Sequence, residues 1–454
     1  MHHAVSDLSA RIVRLANRAG DPPTEALEAA AAIVGATLAS IATGYRDPVV
    51  EASMGVREAL EPAPEWGLDA AAGGASAVWN ATVCGTAAAV CECADFHPGS
   101  DLELGPVVAT AALATGELAG SRYADVIAAV AAGCEAALRL HAVLGPAHRA
   151  RGWDPSVTCG AVGGAMAASR ILGADEHTAR MALSLAATQA SGVGAARGSA
   201  LRPLQHGHAA GVAVESALLA RAGLRGPEAP LEGRRGMAQL MTTGADLEAG
   251  GDGGWLVTGA VLKPFACAWE FQALLVAAVA LRGRIGRVDG LAGVTATVAP
   301  ATPRSSAAPP RDRFRSQHDL RHCLALCILD GHVSAEQFLR GDVPRPEVAD
   351  LRGRIRVVRR RGAAGLTARF SGGPVLREAR RDDWARDAVA RRADVADSVV
   401  GRLLHRVGIG DGAGGPTPPI ADLPLARIMG AVRGDRGRSD HPAPVWRRRD
   451  VGDT

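Results

Sequence analysis

Lysine is all but missing from this chain: of its 50 Lys+Arg residues, only Lys263 is a lysine. A composition rich in Ala, Gly and Arg fits a G+C-rich genome, which favours arginine wherever either cation serves. Guanidinium cannot replace ammonium where chemistry needs a compact point charge, a titratable amine or a proton donor. The surviving lysine, set in Leu262-Lys263-Pro264-Phe265-Ala266-Cys267, is therefore singled out as a functional candidate. Aromatic residues are also scarce, at 3%, so Ala, Val and Leu must build the core. Small side chains let helices approach closely, and alanine is the best helix former. A mainly helical body is expected.

Other absences narrow the function. The eight cysteines include no C-x-x-C pair and no Cys/His zinc spacing. Buried thiols are the expectation, Cys323 and Cys327 lying one helical turn apart, and no structural metal or iron–sulfur cluster is expected. The chain has no G-x-S-x-G elbow, no phosphate-binding G-x-x-x-x-G-K-[ST] loop and no H-E-x-x-H helix. Net charge is +3, and the short runs at 359–361 and 447–449 lack interleaved aromatics, so no nucleic-acid partner is expected. No uninterrupted apolar run approaches the roughly 20 residues of a membrane span. The first residues show no basic-then-apolar leader. A cytoplasmic protein with no membrane partner is the expectation.

A chain of 454 residues exceeds what one core usually serves. Residues 1–283 read as helix after helix, separated by Gly, Pro and Asp. The texture changes near Arg282. A strand at 294–298, a helix at 317–329 and short strands at 355–359, 366–370 and 375–379 make an α+β module of 284–390. Residues 391–432 return to helix, and 433–454 read as a disordered tail. The predicted fold class is mainly α, a large all-helical domain with a smaller α+β lid inserted before the C-terminal helices.

Four places gather polar groups in apolar surroundings. Glu92-Cys93-Ala94-Asp95-Phe96-His97-Pro98-Gly99 ends an apolar helix; its carboxylates and imidazole suit acid–base work, or simply a helix end and turn. Asp154-Pro155-Ser156 opens a helix whose free N–H groups suit an anion, with Asp154 or Ser156 as a plain N-cap the alternative. Arg202-Pro203-Leu204-Gln205-His206-Gly207-His208 offers a forked donor for a carboxylate and two imidazoles on different helix faces, or a solvated surface loop. Lys263 follows a glycine-rich loop and precedes an apolar helix. Partial desolvation there would lower its pKa and make it a proton donor; pairing with a substrate carboxylate is the other role.

Together these segments resemble the MmgE/PrpD family, from about residue 75 to 430. The likeness is carried by Ile171-Leu172-Gly173-Ala174-Asp175 with Ala187-Thr188-Gln189-Ala190-Ser191-Gly192, by Leu231-Glu232-Gly233-Arg234-Arg235-Gly236, by Leu262-Lys263-Pro264-Phe265, and by Leu329-Asp330-Gly331-His332-Val333 with Phe338. The resemblance implies a helical domain and an α+β lid with the active site at their junction. It also implies a homodimer, no metal, and a small carboxylate substrate. The implied chemistry removes a proton or CO2 next to a carboxylate, often with loss of a leaving group.

The chain departs from the family pattern at several implied site positions. Glu92-Cys93-Ala94-Asp95 stands for D-x-D-D, and His97-Pro98-Gly99 matches the following H-P only across a gap; without it that His falls on Leu102. Asp154 replaces a histidine, Arg202 a lysine, and Gln272 another histidine, while Lys263 is retained. A carboxylate base at Asp154, with an ordinary pKa of about 3.9, suits an acidic C–H or a substrate carrying its own cation, such as an amine or imine. The expected activity is a cofactor-independent lyase or isomerase, dehydratase-like, with decarboxylation or epimerisation as other outcomes. In it Lys263, Asp154, Asp95 and His97 are catalytic, and Arg202, Glu92, Ser156 and His206 bind substrate. The alternative is a relative that binds a carboxylate or a partner protein without turnover.

Overall fold

The computed structural model describes residues 7–379, apart from 17–21, 61–72, 252, 286–287, 289, 301, 303–307, 340–344, 362–364, 372 and 374, together with 428–429. The first body comprises α1 (Leu8–Ala16), α2 (Thr24–Gly44), α3 (Pro48–Leu60), α4 (Gly73–Val90), α5 (Thr110–Ala119), α6 (Tyr123–Ala150), α7 (Pro155–Ile171), α8 (Glu176–Gln189), α9 (Leu201–Arg221) and the short α10 (Met237–Leu240). A π-turn, Gly105–Ala109, leads into α5. Helix α6 bends at Gly145, whose backbone leaves the helical region ahead of Pro146, and runs on to Ala150.

Glycine and alanine set how closely these helices pack. A Cβ on Gly133 of α6 would lie 2.5 Å from the Gly163 carbonyl of α7. One on Gly85 of α4 would lie 2.9 Å from the Gly207 Cα of α9. This second approach draws together the end of α4, which leads directly to Glu92, and the start of α9, which carries Arg202. The near absence of aromatics thus has a structural counterpart: backbones meet where larger side chains would hold them apart.

Helices α2 and α6 are long and apolar enough, by length and composition alone, to cross a membrane. That departs from the expectation drawn from uninterrupted runs. In the fold 61% and 78% of their most apolar stretches are buried, and both contribute to the first core. Their hydrophobicity is used against other helices.

A second core begins at Phe265 rather than near 284. It takes in α11 (Gln272–Ile285), β3 (Leu291–Val298), α13 (Leu320–Asp330), α15 (Pro346–Arg354), β4 (Ile355–Arg359) and β5 (Gly365–Phe370). The short α12 (Arg313–Gln317) and α14 (Ala335–Leu339) flank α13, and β6 (Val375–Ala379) completes a sheet of order β4-β3-β5-β6. Strands β3 and β4 are parallel and the other pairs antiparallel. Helix α11 belongs to this unit because its apolar side chains pack on α13 and the sheet. The fold is mainly α with a smaller α+β part. The predicted helices and tail of 391–454 lie outside the described residues except for Ile428 and Met429, which are helical and buried in the first core.

The two units are stitched by a two-residue antiparallel pairing of β1 (Asp95–Phe96) with β2 (Val261–Leu262). The Lys263 N–H extends it by donating to the Ala94 carbonyl at 3.1 Å.

Candidate active site

The β1–β2 pairing delivers Lys263 into a buried cluster assembled from five places in the chain. Its ammonium lies 3.0 Å from Glu92 Oε2 and 2.9 Å from Glu103 Oε1, with the side chain only 1% exposed. Arg202, in the first turn of α9, reaches the same two carboxylates. Its Nη1 is 2.5 Å from Glu92 Oε1 and its Nη2 2.9 Å from Glu103 Oε2. The remaining guanidinium edge, Nε, faces Asp154 Oδ2 at 3.4 Å. Two cations and three carboxylates therefore alternate around one point at the junction of the units.

Each side chain is held there for a local reason. Glu92 follows the end of α4 with φ of 51°, a left-handed conformation usually left to glycine and costing a side-chain-bearing residue about 1 kcal/mol or more. Such strain at a carboxylate facing two cations is a mark of function. Glu103 is fixed through its backbone, whose N–H donates to Ser156 Oγ at 3.0 Å. Asp154 is the N-cap of α7, accepting the Ser156 N–H at 3.1 Å while its other oxygen faces Arg202. Capping and charge pairing thus coexist in one carboxylate.

Two imidazoles face the cluster. His206, one turn along α9 from Arg202, donates Nδ1–H to the Arg202 carbonyl at 2.9 Å. Its Nε2 lies 3.9 Å from Glu103 Oε2 with no hydrogen-bond partner. His318, between α12 and α13 of the second unit, donates Nδ1–H to the Phe314 carbonyl at 2.9 Å and points Nε2 at Glu92 Oε1, 3.5 Å away. A carbonyl can only accept, so both rings, when neutral, carry the lone pair on Nε2. Burial lowers the pKa of both; nearby arginines add to the effect and the facing carboxylates oppose it without reversing it, so the neutral form predominates near pH 7.

The cluster reverses one expectation about Lys263. Burial alone would lower its pKa, but the charges of Glu103 and Glu92 outweigh burial and raise it. The ammonium is held protonated and acts as a fixed positive charge, not as a ready proton donor. The carboxylates respond in kind. Burial disfavours the Glu103 anion, yet Arg202 and Lys263 hold its pKa well below the ordinary range. Glu92 and Asp154 are lowered too, Arg202 again being the main force against burial.

The remaining sequence candidates stand apart from this cluster. Asp95 presents Oδ2 to the Leu104 N–H at 3.0 Å and Oδ1 to the Gly105 N–H at 2.7 Å. Its carboxylate binds the loop carrying Glu103, and burial pushes its pKa up to about 6. His97 donates from Nε2 to the Leu256 carbonyl at 3.0 Å and accepts at Nδ1 from the Ser100 hydroxyl at 3.1 Å, which occupies both nitrogens. Ser156 serves Glu103. Arg202 and His206 are in a helix, not a surface loop, while His208 of the same stretch is exposed. Gln272 is buried, and its amide braces the turn at 265–268.

Sequence reasoning missed Glu103 and His318. Glu103 sits beside Leu102, where the ungapped family motif would place its histidine, and that adjacency was the only signal. His318 had none beyond being an imidazole at a helix start. Among the described residues no group of three or more His, Cys, Asp or Glu side chains is arranged to hold a metal ion.

Comparison with known proteins agrees with the architecture. Residues 12–250 match the MmgE/PrpD N-terminal domain and residues 265–382 the MmgE/PrpD C-terminal domain. The break between them contains β2 and Lys263. A cis-aconitate decarboxylase of Aspergillus terreus is 27% identical over 286 residues, covering 57% of this chain and 58% of that protein. A second, from Aspergillus terreus strain NIH 2624 / FGSC A1156, is 26% identical over the same coverage. The match thus spans 58% of the length of these relatives. With both family domains matched in order, and with more than half of its residues in the first of them, the chain belongs to the MmgE/PrpD family.

Proposed function

We propose that this chain is a lyase acting on a small carboxylate substrate, and that it works by removing a proton from the carbon beside the carboxylate. The observation that carries this reading is the pair of fixed cations, Lys263 and Arg202, buried at the junction of the two units and flanked by two imidazoles whose Nε2 atoms face the cluster, that of His206 without a hydrogen-bond partner. Fixed positive charge in a water-poor site stabilises the enolate-like anion formed when the proton leaves. A neutral imidazole with a fixed tautomer is suited to accept that proton, for a rate gain of about 10²–10⁴.

In the elimination, the C–H electron pair becomes the new C=C bond. The bond from the neighbouring carbon to its hydroxyl breaks, and the oxygen leaves as water with a proton from the imidazolium just formed or from solvent. Loss of CO2 would begin from the same cations with a different bond breaking, and the similarity to cis-aconitate decarboxylases supports carboxylate chemistry of this general kind. Epimerisation would return the proton to the other face.

Lys263→Arg is the decisive variant. Guanidinium keeps the charge but not the compact tetrahedral donor set between two glutamates. The expected result is a folded protein without turnover, read by circular dichroism and by mass spectrometry of products from a panel of small hydroxy- and amino-carboxylates. Unchanged turnover would remove Lys263 from the mechanism. A second reading, ligand binding without turnover, is favoured by Asp154 and Gln272 standing where the family pattern has histidines. Stabilisation by a ligand with no product from the wild-type protein would select it.

A further inference from the structure

We infer that the substrate carries a positive charge of its own, an ammonium or iminium group, in addition to its carboxylate. This deepens the lyase proposal and shares only its location: it concerns which molecules the site accepts, not what happens to them.

The charges in the cluster do not balance. Glu92, Glu103 and Asp154 face only Lys263 and Arg202. The imidazoles of His206 and His318, the other titratable groups in direct contact, are neutral. Widening the circle does not reverse the sign. Arg197 is paired with Glu270 at 2.5 Å. Beyond it Arg149 stands near Asp101, whose backbone carbonyl it holds, and Asp95 lies behind Glu103. Carboxyl groups outnumber cations at both radii.

The cations are also already engaged. All three nitrogens of Arg202 face a protein carboxylate, and Lys263 contacts two. A plain di- or tricarboxylate would bring two or three more negative charges into a buried site that already has an excess of them. Like charges are costly at low dielectric.

The second observation is the Nε2 of His206. It is fully buried, has no hydrogen-bond partner, and by its tautomer is an acceptor. An orphaned acceptor close to a carboxylate calls for a donor, and a substrate carboxylate has none to give. An ammonium has three N–H groups and a positive charge. Placed beside Glu103 and His206, it satisfies the lone pair and offsets the excess charge. A substrate carboxylate that takes a share of Arg202 is then balanced by the ammonium, and a dicarboxylate carrying one adds a single negative charge to the cluster instead of two.

The test uses the wild-type chain and matched probes differing by one ammonium group: 3-hydroxyaspartate against malate, aspartate against succinate, and glutamate against glutarate. Binding is measured by calorimetry and thermal shift near pH 7. In at least one pair the ammonium-bearing member should bind about tenfold or more tightly, and Glu103→Gln or Asp154→Asn should narrow that ratio. An amine-free member binding as tightly as its partner in every pair overturns the inference, as does failure of every ammonium-bearing probe to bind at millimolar concentration. The wild-type measurement decides even if neither variant folds. Tight binding of an ammonium-bearing probe without product would count against the lyase proposal and leave this inference standing, whereas turnover of amine-free probes alone would do the reverse.

Discussion

Two buried groups of charges in this protein look alike on a list of ion pairs and differ in every other respect. On α6, Arg139 meets Glu135 at 2.7 Å, both almost fully buried. The rest of the guanidinium donates to the carbonyls of Gly251, Gly253 and Gly254, and the second oxygen of Glu135 accepts the Val257 N–H at 3.1 Å. One positive charge faces one negative charge, and what remains is matched by backbone. Its effect is to pin the glycine-rich loop ahead of Lys263 to the helical body. The junction cluster bonds side chain to side chain, holds an excess of carboxylates, contains a strained Glu92 and leaves His206 Nε2 unmatched. Burying charge is therefore not a sign of function in itself. Incomplete balance, maintained at a conformational cost, is the sign.

Substitution can sharpen that contrast. After Lys263→Arg, the largest effect should follow His206→Gln and His318→Gln, each expected to lower kcat by about 10²–10⁴ if its imidazole is the base. Melting temperature should move little, and steady-state kinetics on an identified substrate will show which ring takes the proton. Equal, small losses from both would make the two groups merely structural. Arg139→Met should act oppositely: leaving Glu135 buried without its partner costs about 3–5 kcal/mol of stability, read by urea unfolding. The kcat of the remaining folded protein should stay near the wild-type value.

A third test is the pH profile of stability. Burial lowers the pKa of His141 and His322 to about 4. As pH falls below about 6.5, the unfolded chain takes up protons that the folded chain refuses, and stability is lost down toward those folded values. Asp95 works the other way. Its folded value of about 6 lies above the unfolded one, so protonation favours the fold between about pH 6 and pH 4. Melting temperature should fall as pH is lowered from 7 to 4, and more steeply in Asp95→Asn, which lacks the opposing uptake. Parallel profiles would contradict the assignment. The smallest effect is expected from Gly105→Ala. A Cβ there would lie 2.7 Å from Asp95 Oδ1 and closer still to the Thr37 hydroxyl. A cost of about 1–3 kcal/mol should accompany a drop in kcat as the loop carrying Glu103 shifts.

Much of the scaffold was legible beforehand because it rests on local rules. Strands predicted at 355–359, 366–370 and 375–379 appear within a residue of those bounds, each delimited by glycine or a helix end. Helices α7 and α8 begin where Asp154 and Asp175 cap them. Helix α15 was not anticipated; its alternating charges hide a short apolar face formed by Val348 and Leu351. Helix α9 begins at Leu201 although Arg202-Pro203 interrupts the apolar pattern, because proline is tolerated in a first helical turn.

The site was less legible. Glu92, Asp154, Arg202, His206 and Lys263 could be named as candidates because each departs from its surroundings or matches a family motif. Glu103 and His318 do neither; they enter through loops whose positions depend on Ser156 and on the second unit. By itself the sequence determined the helical body, the α+β appendage and the isolation of one lysine, since composition, periodicity and caps act over a few residues. Only the tertiary structure decided which way that lysine's proton affinity moves. The carboxylates that set it lie 171 and 160 residues away in the chain, and the energy of a buried charge depends on what surrounds it in space.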